Sequence, residues 1–191
     1  MMKASTNEVL STHKTSEKPS PSGAAPVEAF FVPKSDPPVA YITNMFEGTL
    51  WKATWQPARR EFAFAPFGDV GPLGQGVPLE IYFNKTGDRA YLSTAKPGHL
   101  NVYDVSDATN PKHLAAIPAA AGAHHMVFSP DGRYAFVQNS LLNLDGMSDG
   151  SISVIDLEKR EKVDSIDTFK DAGLRPNCIV LLPEFGGGHT H

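Results

Sequence analysis

The sequence predicts an all-β fold assembled from repeated four-stranded antiparallel units, and three observations carry that prediction. The first is a hairpin: between Ala123 and Asn139, two apolar runs, His124 to Phe128 and Tyr134 to Val137, flank Ser129-Pro130-Asp131-Gly132. Proline fixes φ there, and Asp-Gly supplies the positive φ of a tight reversal. The second is recurrence, since Phe83, Gly87, Ala90, Tyr91 and Leu92 stand 45 positions before Phe128, Gly132, Ala135, Phe136 and Val137. The third is an earlier copy at a spacing of 50, in which Ala40, Tyr41 and Ile42 match Ala90, Tyr91 and Leu92, and Gly48 and Leu50 match Gly98 and Leu100. Self-similarity at such a period marks a repeat architecture.

In chain order, Val27 to Val32 is the first strand of the first copy, Pro33 to Pro38 its turn and Val39 to Thr43 its second strand. Third strands follow at Leu50 to Trp55, Leu100 to Val105 and Ile152 to Leu157, and fourth strands at Glu61 to Pro66, His113 to Pro118 and Lys162 to Ile166. The third copy is lengthened by a seven-residue insertion within Leu141 to Gly150, and insertions between strands belong in surface loops. A fourth copy opens at Asn177 to Pro183, where Ile179-Val180-Leu181 matches Met126-Val127-Phe128 at a spacing of 53. Four-stranded units of roughly 40–50 residues are the blades of a β-propeller. The expected architecture is therefore a β-propeller segment of three four-stranded antiparallel blades, at about 27–75, 78–120 and 122–170, plus the first strand of a fourth at 177–183. Residues 1–26, rich in Ser, Thr, Lys and Pro, are expected to form a disordered tail, and residues 184–191 a flexible Gly/His tail.

The run Phe128-Ser-Pro-Asp-Gly-Arg-Tyr-Ala-Phe-Val137, followed by Ser151-Ile-Ser-Val-Ile-Asp-Leu157, resembles the YVTN-type β-propeller repeat. It is also similar to repeats in the propeller domain of nitrous oxide reductase and in cytochrome d1-like propellers. The resemblance implies a blade fold, and a periplasmic or extracellular setting if the chain is a fragment. Closed rings have roughly 4–8 blades, so three blades imply a half-ring that joins a second copy of itself or a complementary propeller half.

Composition excludes several function classes. A formal charge of −4 across 191 residues, with 17 Lys and Arg against 21 Asp and Glu, argues against a nucleic-acid partner. No apolar run approaches the roughly 20 residues of a membrane span. Met1 to Pro26 lacks the apolar core of a secretory signal, so the compartment is open. One cysteine, Cys178, leaves no internal disulfide. There is no Gly-x-Ser-x-Gly elbow and no phosphate-binding Gly-rich loop, so enzymatic activity is an open question that leans towards none.

Strands of one blade alternate direction, so one rim of the disk collects the blade starts together with the loops between second and third strands. That rim should carry His99, His124, His125, Asn177 and the inserted loop with Asp145 and Asp149, the expected ligand-binding residues. Glu80, His125 and Cys178 occupy equivalent positions in successive copies, a ring of metal-ligating types that suits copper or zinc. A second reading is open for these residues: polar side chains lining a channel mouth, with adjacent His124 and His125 pointing to opposite sides of their strand. Met45, Phe46, Trp51 and Trp55 read as packing between blades, and Asp104 and Asp156, recurring at third-strand ends, as turn contacts. His189 and His191 share one side of an extended tail and form a weaker candidate pair. Two functions follow: a binding or interaction module with its ligand on the rim of the blade starts, and, as the alternative, a copper or zinc oxidoreductase-like propeller with the metal at the channel mouth.

Overall fold

The computed structural model describes residues 1–17 and 24–182. Each copy of the repeat forms one antiparallel sheet with strands in sequential order. Blade one holds β3 (Pro26–Phe31), β4 (Val39–Asn44), β5 (Thr49–Gln56) and β6 (Glu61–Asp69), which follow β1 (Met2–Lys3) and β2 (Glu8–Val9). Blade two holds β7 (Gly76–Phe83), β8 (Arg89–Lys96), β9 (Gly98–Asp104) and β10 (Lys112–Pro118). Blade three holds β11 (Ala123–Phe128), β12 (Tyr134–Asn139), β13 (Ile152–Asp156) and β14 (Glu161–Ile166), followed by the short helix α1 (Thr168–Asp171). This is the propeller arrangement: β7 packs on β3 and β4 of the blade before it, and β11 on β7, β8 and β9.

Period-two alternation explains the packing, because each sheet has an apolar side for each neighbour. Between blades one and two lie Val39, Tyr41, Leu50, Ile81, Leu92 and Tyr103. Between blades two and three lie Tyr82, Tyr91, Leu100, Met126, Val137 and Ile155. Tyr41 is anchored further, its hydroxyl donating to the Ala108 carbonyl at 2.9 Å. The recurrent aspartates do end turns: Asp156 accepts from the Glu158 and Lys159 N–H groups at 3.0 Å and pairs with Arg133 at 3.1 Å. Asp104 accepts from Ser106 N–H at 3.0 Å and pairs with Arg89 at 3.4 Å.

Three expectations are corrected. Residues 177–182 form no strand, because no other strand among the described residues lies beside them to complete a ladder; position 183 lies outside the described residues. The stretch expected to be a disordered tail through Pro26 contains the β1–β2 pair, and Pro26 already belongs to β3. Beyond that pair, His13 stacks on Phe64 at 4.4 Å and Thr15 donates to Asn44 Oδ1 at 3.0 Å, while Ser16 bonds Glu47. Trp51 and Trp55 pack with Phe62 on the outer side of blade one rather than between blades, and Phe46 is exposed. Residues 184–191 lie outside the described residues.

Candidate functional site at the upper rim

The end where first strands begin, here the upper rim, also holds the turns between second and third strands. Each first strand carries the same irregularity near this rim. The pairing register shifts between Pro26 and Ala29 in β3, between Pro78 and Ile81 in β7 and between Ala123 and Met126 in β11. Such bulges break the alternation of side chains and re-aim those within them. The residues inside are Val27 and Glu28, Leu79 and Glu80, and His124 and His125, so Glu28, Glu80 and His125 are structural equivalents.

The bulge overturns the expectation that adjacent histidines diverge. The His124 and His125 rings lie 4.0 Å apart at 35°, and both reach Glu80 of the preceding blade. His124 Nε2 is 3.2 Å from Glu80 Oε1. One donor atom from each of Glu80, His124 and His125 can be chosen so that all lie within 4.8 Å of one another. The Tyr82 hydroxyl stands 3.3 Å from His125 Nδ1. Glu28 closes the group from blade one: its carboxyl hydrogen-bonds Glu80, and its Oε2 accepts from Ile81 N–H at 2.5 Å.

These contacts set the protonation pattern. Burial pushes Glu28 up to about 7; the Ile81 N–H opposes the rise and the charge of Glu80 adds to it. Burial pushes Glu80 up as well, but the His124 hydrogen bond and the charges of His125 and His124 outweigh it, so Glu80 ends below the ordinary glutamate range. Like charges in contact cannot both ionise cheaply, and one carboxyl of the pair keeps its proton. Burial raises the Tyr82 phenol, and the nearby Cys178 thiol adds slightly to the rise.

The remaining expected residues occupy the same rim without joining the cluster. His99, the second residue of β9, pairs with Pro118, and its Nδ1 is 3.1 Å from the Pro97 carbonyl. Asp149 is engaged by Lys170 Nζ at 2.8 Å and by Ser151, and Asp145 is exposed. Asn177 accepts from Leu142 N–H at 3.0 Å, tying the inserted loop to the C-terminal segment. Leu141 of that loop packs against Leu79, next to Glu80. Cys178 is exposed and stands outside the three-residue cluster, because the segment carrying it is not held in a blade.

Architecture is what known proteins share with this chain. Kuenenia stuttgartiensis hydrazine synthase is 19% identical over 89% of this chain and 41% of its own, with a TM-score of 0.61. Pseudomonas aeruginosa periplasmic gluconolactonase is 16% identical over 75% of this chain and 40% of its own, at 0.57. A protein from Lactobacillus plantarum is 13% identical over 75% and 42%, at 0.56. The chain thus spans well under half the length of these structures, and at such identities the likeness shows the fold alone. No protein family and no curated protein matches the sequence.

Sequence reasoning missed Glu28 and the pairing of His124 with Glu80. It also missed a cleft of about 460 Å³ at the lower rim, lined by Lys34, Asp36, Thr86, Asp88 and Asp107 among others. Two of its carboxylates are engaged within the cleft: Asp88 Oδ1 accepts from Thr86, and Asp107 Oδ1 accepts from Thr109 at 2.7 Å. Of the described residues, none of the helices is long and apolar enough to cross a membrane.

Proposed function

We propose that this chain is a binding module on a partial propeller of the YVTN-like type, taking its ligand at the upper rim around Glu80, His124 and His125. One observation carries the reading: buried or half-buried donors from two adjacent blades converge on a single point, held there by bulges in both first strands. A carboxylate with two imidazoles is more selective chemistry than the lower cleft, where Asp88 and Asp107 are already engaged by threonine hydroxyls. His99, Asp145, Asp149 and Asn177, on the same rim, are read as further contacts for a larger ligand. The copper or zinc oxidoreductase needs a redox role on top of binding, and nothing in the geometry favours it over a binding module. Its partner is read as a second copy or a complementary propeller half. A crystallographic fragment screen on the full chain tests the ligand position. Fragments gathering beside Glu80 and His125 support it; occupancy confined to the Lys34–Asp107 cleft overturns it.

A further inference from the structure

The donor set at the upper rim is specific enough to name an occupant. Zinc holds three or four ligands at about 2.0–2.2 Å in tetrahedral geometry, which sets donors about 3.3–3.5 Å apart. His124 Nε2 and Glu80 Oε1 already stand at 3.2 Å, and the three chosen donors fall within 4.8 Å. Closing the set takes movements of about 1 Å against that tetrahedral spacing, within reach of side-chain torsions. Imidazole nitrogens suit zinc and its neighbours, whereas calcium and magnesium prefer all-oxygen shells.

One further observation points the same way. Ligand side chains are commonly oriented by outer contacts, and these are present: Tyr82 on His125, and Glu28 on Glu80. We infer that Glu80, His124 and His125 bind one divalent transition ion of the zinc class, which joins blade two to blade three. This inference rests on the upper rim being the binding site and names what sits there.

Calorimetric titration of the untagged full chain with zinc chloride, after chelation and dialysis, reads it directly. One ion per chain is expected, with a rise in melting temperature. Glu80→Gln and His125→Asn should weaken binding about 100-fold, and Glu28→Gln, which touches only an outer contact, about tenfold. Double substitution of His189→Ala and His191→Ala should leave it unchanged. If the ligand variants misfold by circular dichroism, X-ray absorption at the zinc edge of the wild-type complex decides: two imidazoles support the inference and none overturns it. Folded wild-type protein that takes up no zinc also overturns it, as does binding that survives Glu80→Gln and His125→Asn or vanishes with the terminal histidines. Zinc refused while fragments still gather at this rim sinks the metal alone; fragments confined to the lower cleft sink the rim itself.

Discussion

Glu28 shows how a single side chain links the fold to its candidate site. It bridges blade one to blade two through Ile81 N–H and sits against Glu80. An acid whose folded pKa is raised, here from 4.5 to about 7, stabilises the fold fully below its unfolded value and loses that contribution as pH rises through the folded value. Glu80, depressed, acts in the opposite sense and loses its contribution as pH falls. In metal-free buffer the melting temperature should therefore carry a decline between pH 4.5 and about 7 that belongs to Glu28. Glu28→Gln should flatten it; an unchanged slope in the variant would show that burial does not raise the Glu28 carboxyl. The sequence hid this residue for a physical reason. The turn between β3 and β4 is two residues longer than that between β7 and β8, so the spacing of 50 that aligns the second strands places Phe30, not Glu28, opposite Glu80. His124 and His125 were legible as rim residues, but their convergence was not, because a bulge is a pairing event and leaves no mark in residue type.

At the level of elements, the four-strand blade was almost fully legible. Alternating apolar residues, turn chemistry and the spacings of 45 and 50 placed β4, β5, β9, β12 and β13 within a residue or two of their observed bounds. The lone strand at 177–182 failed because alternation encodes which side of a strand is buried but cannot supply its hydrogen-bonding partner. Gly98, matched to Gly48 by the repeat, shows what one turn contributes to the join between blades. A Cβ built there would lie 1.6 Å from the Ala120 carbonyl oxygen, so backbone meets backbone where blade two hands over to blade three. Ala119 N–H donating to the Gly98 carbonyl at 2.9 Å fixes the approach. Gly98→Ala cannot be relieved by a rotamer change, and we expect a loss of about 3 kcal/mol or more, at the upper end of overpacking costs. Chemical denaturation measures it, and a loss under about 1 kcal/mol would mean the turn stands off from blade three.

For the whole molecule, the question is what covers the two outer blade sides. The sequence implies that both are bare, but they differ. On blade one, Ala40, Ile42, Trp51 and Ala53 are buried beneath Phe62 and Phe64, and His13 stacks over Phe64. On blade three, register puts Phe136, Ile152, Val154 and Ile166 on the side away from blade two, and Ile166 is 39% exposed. Patches of a few hundred Å² are the most that monomers commonly leave open. At roughly 25 cal/mol per Å², pairing two of them gains on the order of 10 kcal/mol, against association costs of similar size. The balance favours weak association, so we expect sedimentation to show self-association at tens of micromolar, through blade three. Val154→Lys together with Ile166→Lys should abolish it without lowering the melting temperature much. Deleting residues 1–17 acts at the other end: losing the His13 stack and the Thr15 and Ser16 contacts should cost about 1–2 kcal/mol, or about 3–6 °C for a chain of this size. It should also create a second sticky side, so that dimers extend into longer assemblies. A wild-type chain that stays monomeric at these concentrations, or a deletion that leaves both melting and assembly unchanged, would refute this account of the two sides.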